Sequence, residues 1–146
     1  MNTGNPGCEI EVSPCTDTAL LTSLFLELMA DEKTDRPVTE AQAKLRMQEY
    51  LARGDQAFAF GVQGDTVGYA LVVCDREPLY LRHFYICRHA RRKGYGTTAF
   101  HALLKALDTA TIDLDVFVWN ERGKAFWASL GFAPRATIMR YNSAQS

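Results

Sequence analysis

Between Leu79 and Leu107 the chain reads LYLRHFYICRHARRKGYGTTAFHALLKAL, and this stretch limits what the rest can be. Leu79–Ile86 is a short apolar run rich in aromatic and branched side chains, too short and too β-like for a helix, and reads as a strand. A basic turn follows, Arg91-Arg92-Lys93-Gly94-Tyr95-Gly96. Thr97 and Thr98 then open a helix whose apolar residues Ala99, Phe100, Leu103, Leu104 and Leu107 recur at helical spacing. The glycines therefore stand at a helix N-terminus, where the first N–H groups lack intrahelical acceptors and the dipole is positive. Main-chain donors can hold a diphosphate there. Glycine brings no Cβ into its path, while Arg and Lys add charge-assisted contacts. Taken alone, a GxG beside arginines is also the pattern of a solvated turn.

Charge is segregated in the same way. Pro78–Leu107 holds six Lys/Arg and no Asp or Glu, which leaves ten basic against seventeen acidic residues elsewhere. A local field of this sign attracts an anionic ligand. The net charge of −1 argues against a dedicated nucleic-acid binder, which carries a markedly basic domain and aromatic platforms. A helix-turn-helix is excluded because Leu79–Ile86 is no helix.

The remaining chain predicts support for this unit. With 146 residues, 47% of them hydrophobic, it has the size of one domain, 1–146. Neither a membrane anchor nor a signal peptide is read, and a cytoplasmic location is expected. Cys8, Cys15, Cys74 and Cys87 show no CxxC pair, so no disulfide and no metal are expected. Met1–Gly7 reads as a loose end and Glu9–Val12 as a first strand. Thr16 or Asp17 caps a helix with the stripe Leu20, Leu21, Leu24, Phe25 and Leu28, and Asp31–Pro37 is a loop. Thr39 with Gln42 forms a capping box for a second helix, stopped at Gly54. Phe58–Val62 and Val67–Val73 alternate around a turn at Gln63-Gly64-Asp65, an antiparallel hairpin. A second turn, Asp75–Pro78, returns the chain into Leu79–Ile86. Ile112–Val118 predicts a fifth strand, parallel to Leu79–Ile86 through a right-handed crossover. A helix over Asn120–Leu130, its stop at Gly131, and a last strand over Ala136–Tyr141 complete the chain.

Phe84-Tyr85-Ile86 followed by Cys87-Arg88-His89-Ala90-Arg91-Arg92-Lys93-Gly94-Tyr95-Gly96 resembles the signature of the GNAT superfamily of N-acetyltransferases. That signature is a hydrophobic strand leading into an Arg/Gln-x-x-Gly-x-Gly/Ala loop; Arg91, Gly94 and Gly96 occupy its positions. Asn120–Phe132, reading NERGKAFWASLGF, resembles the family's second block, an Asn-led helix closing on Gly-Phe. The blocks stand in the family's order and at its usual separation. The resemblance implies an α+β (α/β) fold. Its sheet is mixed, mostly antiparallel and twisted, with six to seven strands, about four flanking helices, and parallel strands 4 and 5 that splay apart.

The same resemblance implies acetyl-CoA as co-substrate and an N-acetyltransferase acting on a primary amine, by direct attack in a ternary complex. Pantetheine would lie along Phe84, Tyr85, Ile86 and Cys87. The pyrophosphate would rest on Arg91, Arg92, Lys93, Gly94, Tyr95, Gly96 and Thr97. Asn120 and Phe126 join the cofactor set, although Asn120 is equally suited to cap its own helix. The backbone N–H near Ile86 is the expected oxyanion donor. At the family's usual tyrosine acid stands Trp127, whose indole donates a hydrogen bond but does not readily give up a proton. Tyr85, Tyr95, Tyr141, water or the amine itself are the alternatives. No carboxylate occupies the motif strand, so His83 is the nearest candidate base, or else a hydrogen-bonded strand histidine. The region joining the first two helices commonly covers the acceptor in this family, which makes Glu27, Asp31, Glu32 and Asp35 amine-recognition candidates or plain surface charges. A small-molecule amine is the expected acceptor, with no nucleic acid and no membrane as partner and a homodimer left open. The competing expectation is a catalytically silent acyl-CoA-binding module of the same fold.

Overall fold

The structure, a computed structural model, describes residues 9–34 and 36–144. The expected loose end, Cys8 and Asp35 lie outside these. Two compact units are present, one ending at Asp115 and one beginning at Val116.

In the first unit the order is β1 (Glu11–Pro14), α1 (Thr18–Glu32), α2 (Glu40–Ala52), β2 (Gln56–Val62), β3 (Asp65–Val73), β4 (Leu79–Ile86), a 3-10 turn at Arg88–Ala90, α3 (Tyr95–Leu107) and β5 (Ile112–Leu114). The strands form one mixed sheet in sequence order; β1 to β4 pair antiparallel, and β5 runs parallel to β4. β1 is displaced toward Pro14 from its expected place. As an edge strand it tolerates a residue that cannot donate to a ladder.

Local chemistry explains the boundaries. Asp17 rather than Thr16 caps α1, accepting from the Leu20 N–H at 3.1 Å. Thr39 and Gln42 cap α2 reciprocally, at 3.1 and 2.9 Å. Such caps contribute about 1 kcal/mol each. Burial matters more for α1, because Leu21, Leu24, Phe25 and Leu28 are all nearly inaccessible and each contributes about 1.5–3 kcal/mol. Gln63 and Gly64 both take positive φ, 52° and 87°, which matches a type I′ hairpin turn between β2 and β3.

α1 and α2 cover one face of the sheet. Their stripe packs with Ala57, Tyr69, Leu71, Tyr85 and Cys87 into the main core. α3 covers the other face, where the Phe84 ring lies between Phe60 and Phe100 at 5.4 and 6.3 Å. β3 runs between the two layers, and every residue from Val67 to Val73 is buried.

Two features shape β4. Gly68 stands opposite Ile86, and a Cβ there would run into the Tyr85 carbonyl, so the two backbones meet where only glycine fits. Farther back, the register passes from Leu71↔His83 to Val72↔Leu81, which leaves Arg82 as a bulge. Arg82 is fixed by the buried Asp55 carboxylate at 3.0 Å and lies 4.5 Å over the Tyr50 ring. β5 pairs with β4 only through Leu79–Leu81 and stops at the bulge.

The second unit contains α4 (Glu121–Ser129). Asn120 caps it, accepting from the Gly123 N–H at 2.9 Å. Gly131, at φ 102°, ends it, and the Phe132 N–H returns to the Trp127 carbonyl at 3.0 Å. The Phe126 and Trp127 rings meet edge-on at 4.7 Å, as do those of Trp127 and Phe132 at 5.1 Å.

The sheet has five strands among the described residues, where six to seven were expected. Alternation over Ile112–Val118 predicts a longer fifth strand, yet a ladder needs a partner, and β5 spans only Ile112–Leu114. Ala136–Tyr141 alternates without strand pairing and is exposed throughout. The expected last strand is therefore absent.

Candidate active site

The functional geometry begins at the open side of β4. The Cys87 N–H donates to the Val67 carbonyl at 2.8 Å. Antiparallel alternation then turns the main-chain groups of Tyr85 toward β3 and those of Phe84 and Ile86 toward the opposite edge. Among the described residues β5 lines that edge only to Leu81. The stretch beyond it presents backbone donors and acceptors to a ligand.

The chain leaves this edge through the 3-10 turn and a loop in which Arg92 and Gly94 adopt left-handed φ, 65° and 76°. α3 follows at Tyr95 with no side-chain cap, and its first ladder bond is Thr98 N–H to the Gly94 carbonyl at 3.3 Å. Successive main-chain donors and the positive end of a helix of 13 residues therefore meet at one place. A Cβ at Gly94 would have no heavy atom within 4 Å, so the space before the loop is open. Arg88, Arg92 and Lys93 are exposed around it, with the Lys93 ammonium 6.0 Å from the Tyr95 ring. An anion such as the diphosphate of acetyl-CoA fits this donor set.

Arg91 is used differently. Its Nε donates to the Ile86 carbonyl at 3.0 Å, and its two terminal nitrogens grip the Asp31 carboxylate at 3.0 and 2.9 Å. Arg88 adds a longer contact to Asp31 at 3.5 Å. The guanidinium also lies 5.4 Å over the Tyr85 ring. The motif arginine thus ties the C-terminal end of α1 to the turn after β4, and the loop's outward cations are its neighbours.

Alternation predicted that His83 and Tyr85 share a face, and they do: both point toward α1 and α2. The His83 ring stacks on Phe25 at 4.5 Å and meets Tyr50 and Tyr69 edge-on at 5.5 and 5.8 Å. Its Nδ1 lies 2.9 Å from the Tyr69 hydroxyl. Some ring surface remains, yet burial, then Arg82 and Arg46, lower its pKa to about 3. The imidazole is neutral at pH 7 and weakly basic. The Tyr85 hydroxyl donates to Glu27 at 3.0 Å, and burial followed by that bond pushes its pKa well up. Burial also raises the Cys87 thiol to about 11, which leaves it without thiolate character.

The folded-state pKa of His83 lies below the unfolded value, so the unfolded chain binds the extra proton. Stability is complete above about pH 6.5 and is lost as the pH falls toward 3. Between pH 6.5 and 4.5 the expected loss from this group is about 2 kcal/mol. His83→Gln should weaken the protein at neutral pH yet flatten this dependence in urea denaturation. An equal acid slope in the variant would place the lability elsewhere.

A groove of about 250 Å³ is lined by Leu26, Met29, Ala30, Pro37 and Val38 among others. Glu27, Asp31 and the Arg82–Asp55 pair carry more of the site than sequence reasoning gave them. Their partners are 58, 60 and 27 residues away, and no local pattern announces such contacts.

The mixed sheet with its parallel β4–β5 pair and four helices defines a GNAT-like α+β fold. The acetyltransferase (GNAT) family model matches residues 21–132. The chain belongs to that family. No protein of curated function matches it in sequence. Its structure is similar to an acetyltransferase from Thermus thermophilus, at TM-score 0.71 and 21% identity over 86% of this chain and 87% of the other. It is also similar to aminoglycoside N-acetyltransferase AAC(6')-Iy in complex with CoA, at TM-score 0.70 and 15% identity over 92% and 95%. A third likeness is to ribosomal-protein-alanine N-acetyltransferase from Brucella melitensis, at 0.62 and 16% over 90% and 99%. Among the described residues no helix is long and apolar enough to cross a membrane.

Proposed function

We propose that residues 1–146 act as a single acetyl-CoA-dependent N-acetyltransferase domain in the cytoplasm, transferring acetyl to a primary amine of a small molecule in a ternary complex. The carrying observation is continuity: a backbone edge that β5 leaves unpaired beyond Leu81 runs directly into a helix N-terminus without a side-chain cap, with Gly94 in left-handed backbone. Acetyl-CoA supplies an activated thioester. Main-chain donors from Arg92 to Thr97 hold its diphosphate, and the β4 edge orients its extended arm. The Ile86 N–H stabilises the developing oxyanion. One bond, C–N, forms as C–S breaks; of the neutral amine's two protons one ends on the thiol and the other stays on the amide nitrogen.

The acceptor is not chosen by likeness, since one neighbour is named for an aminoglycoside and another for a protein alanine. A small molecule is favoured because no long insertion that could grip a protein interrupts the elements of the described residues.

Asn120, Phe126 and Trp127 belong to the proposed cofactor and thioester contacts through the family resemblance. Trp127→Phe should lower kcat only about two- to fivefold if the indole shapes a pocket, whereas loss of about a hundredfold or more would make it an essential group.

A second reading, a silent acyl-CoA-binding module, is favoured by the neutral, enclosed His83 and by the raised hydroxyl of Tyr85. Calorimetric titration with acetyl-CoA and desulfo-CoA, beside thiol release over a panel of amines, separates the two. Binding with turnover supports the enzyme and binding without turnover the module. No binding sinks both.

A further inference from the structure

Three acidic residues near the end of α1 stand by the β4 face that carries His83 and Tyr85, and their surroundings differ sharply. The charge of Asp31 is met by both terminal nitrogens of Arg91 and by Arg88. Glu32 is drawn out of water, and burial with the Asp31 charge raises its pKa. Glu27 is exposed, and among the described residues its hydrogen-bond partner is the neutral Tyr85 hydroxyl, at 3.0 Å on Oε1. A phenol fixes a carboxylate without cancelling its charge.

Its position matters as much. Tyr85 is 3% exposed, and the ring that carries the hydroxyl is packed in the main core. The next residue is Ile86, whose main-chain N–H faces the edge that β5 leaves unpaired. On the other face of the sheet Phe84 is packed against Phe100 of α3. A nucleophile approaching a carbonyl held at Ile86 comes from the α1 side, past Glu27.

On the acetyltransferase reading above, we infer that Glu27, held by Tyr85, docks the acceptor, and that the acceptor is an aliphatic amine that arrives as an ammonium cation. Glu27 takes one proton from the docked nitrogen and passes it to solvent, which its exposure permits. The neutral nitrogen then forms the C–N bond as the C–S bond breaks, and its second proton ends on the released thiol. A neutral arylamine gains nothing from the carboxylate.

The test is steady-state thiol release by the full chain with acetyl-CoA and 2-phenylethylamine, 1,4-diaminobutane or aniline. Glu27→Gln is expected to lower kcat/KM for the two aliphatic amines about thirtyfold or more, to change any aniline rate less than about threefold, and to leave acetyl-CoA affinity by calorimetry unaltered. Tyr85→Phe, which removes only the hydroxyl, is expected to cost the aliphatic amines about fivefold, and it decides the matter if Glu27→Gln does not fold. Glu49→Gln, an exposed α2 acid, serves as the charge-matched control and should change nothing. Unchanged aliphatic turnover in Glu27→Gln, equal losses for aniline, or turnover of aniline alone overturns the docking role while leaving the acetyltransferase intact. Thiol release from no amine at all overturns both.

Discussion

Gly94→Glu is expected to reduce acetyl-CoA affinity by about a hundredfold or more while the protein stays folded. Gly94 sits at φ 76°, where an L-residue costs about 1–2 kcal/mol. A Cβ there meets no neighbour within 4 Å, so sterics add little to that cost. An acid beside the first turn even complements the α3 dipole. Binding suffers instead, because a negative side chain occupies the open space before the donors of the loop and repels the diphosphate. The measurement is calorimetry with acetyl-CoA, paired with thermal denaturation. Gly94→Asn, which tolerates left-handed backbone without charge, should keep affinity within about tenfold. Unchanged affinity in a folded Gly94→Glu protein would refute the assignment of the loop.

Gly68→Ala should produce the largest loss of stability. The added methyl runs into the Tyr85 carbonyl, and a backbone atom cannot rotate away as a side-chain tip can. Strands β3 and β4 must separate where all of Val67–Val73 is buried, at a cost of about 3 kcal/mol. For a chain of this size that lowers Tm by about 10 °C. Because the displaced residues are Tyr85 and Ile86, acetyl-CoA binding should weaken in the same variant at temperatures where it remains folded. A normal Tm would mean that the strands do not approach as closely as described.

Much of this arrangement is legible in the residues themselves. The spacing of Leu21, Leu24, Phe25 and Leu28, the Thr39/Gln42 pair and the alternation across Gln63-Gly64 each specify a local structure whose cause lies within a few positions. The form of the loop before α3 is legible for the same reason, since glycine, charge and helix start are adjacent in sequence. What escapes is tertiary. Val116 and Val118 alternate as a strand does, but β5 ends at Leu114; Arg82 looks like an ordinary strand residue, and only the fold shows it as a bulge held by Asp55 and Tyr50. Ala136–Tyr141 has strand-like alternation and no ladder. His83 looked like a base because its type titrates near neutrality; the aromatic and cationic groups that surround it, drawn from α1, α2 and β3, decide otherwise. Arg91 looked like a phosphate ligand, and only the fold reveals Asp31 beneath it.

The grip of Arg91 on Asp31 has an evolutionary corollary. The two positions are 60 residues apart, and the same guanidinium also bonds the Ile86 carbonyl, so neither can drift alone. Lineages that exchange the arginine for the glutamine also found at the motif's first position should lose the acid at the position of Asp31 in the same branch, and lineages that keep one should keep both. A glutamine can still bond the Ile86 carbonyl, but it has no charge to reconcile with a carboxylate. The pair should therefore surface as a strongly covarying couple within its branch of the family, recording in descent the mechanical tie between α1 and the turn after β4.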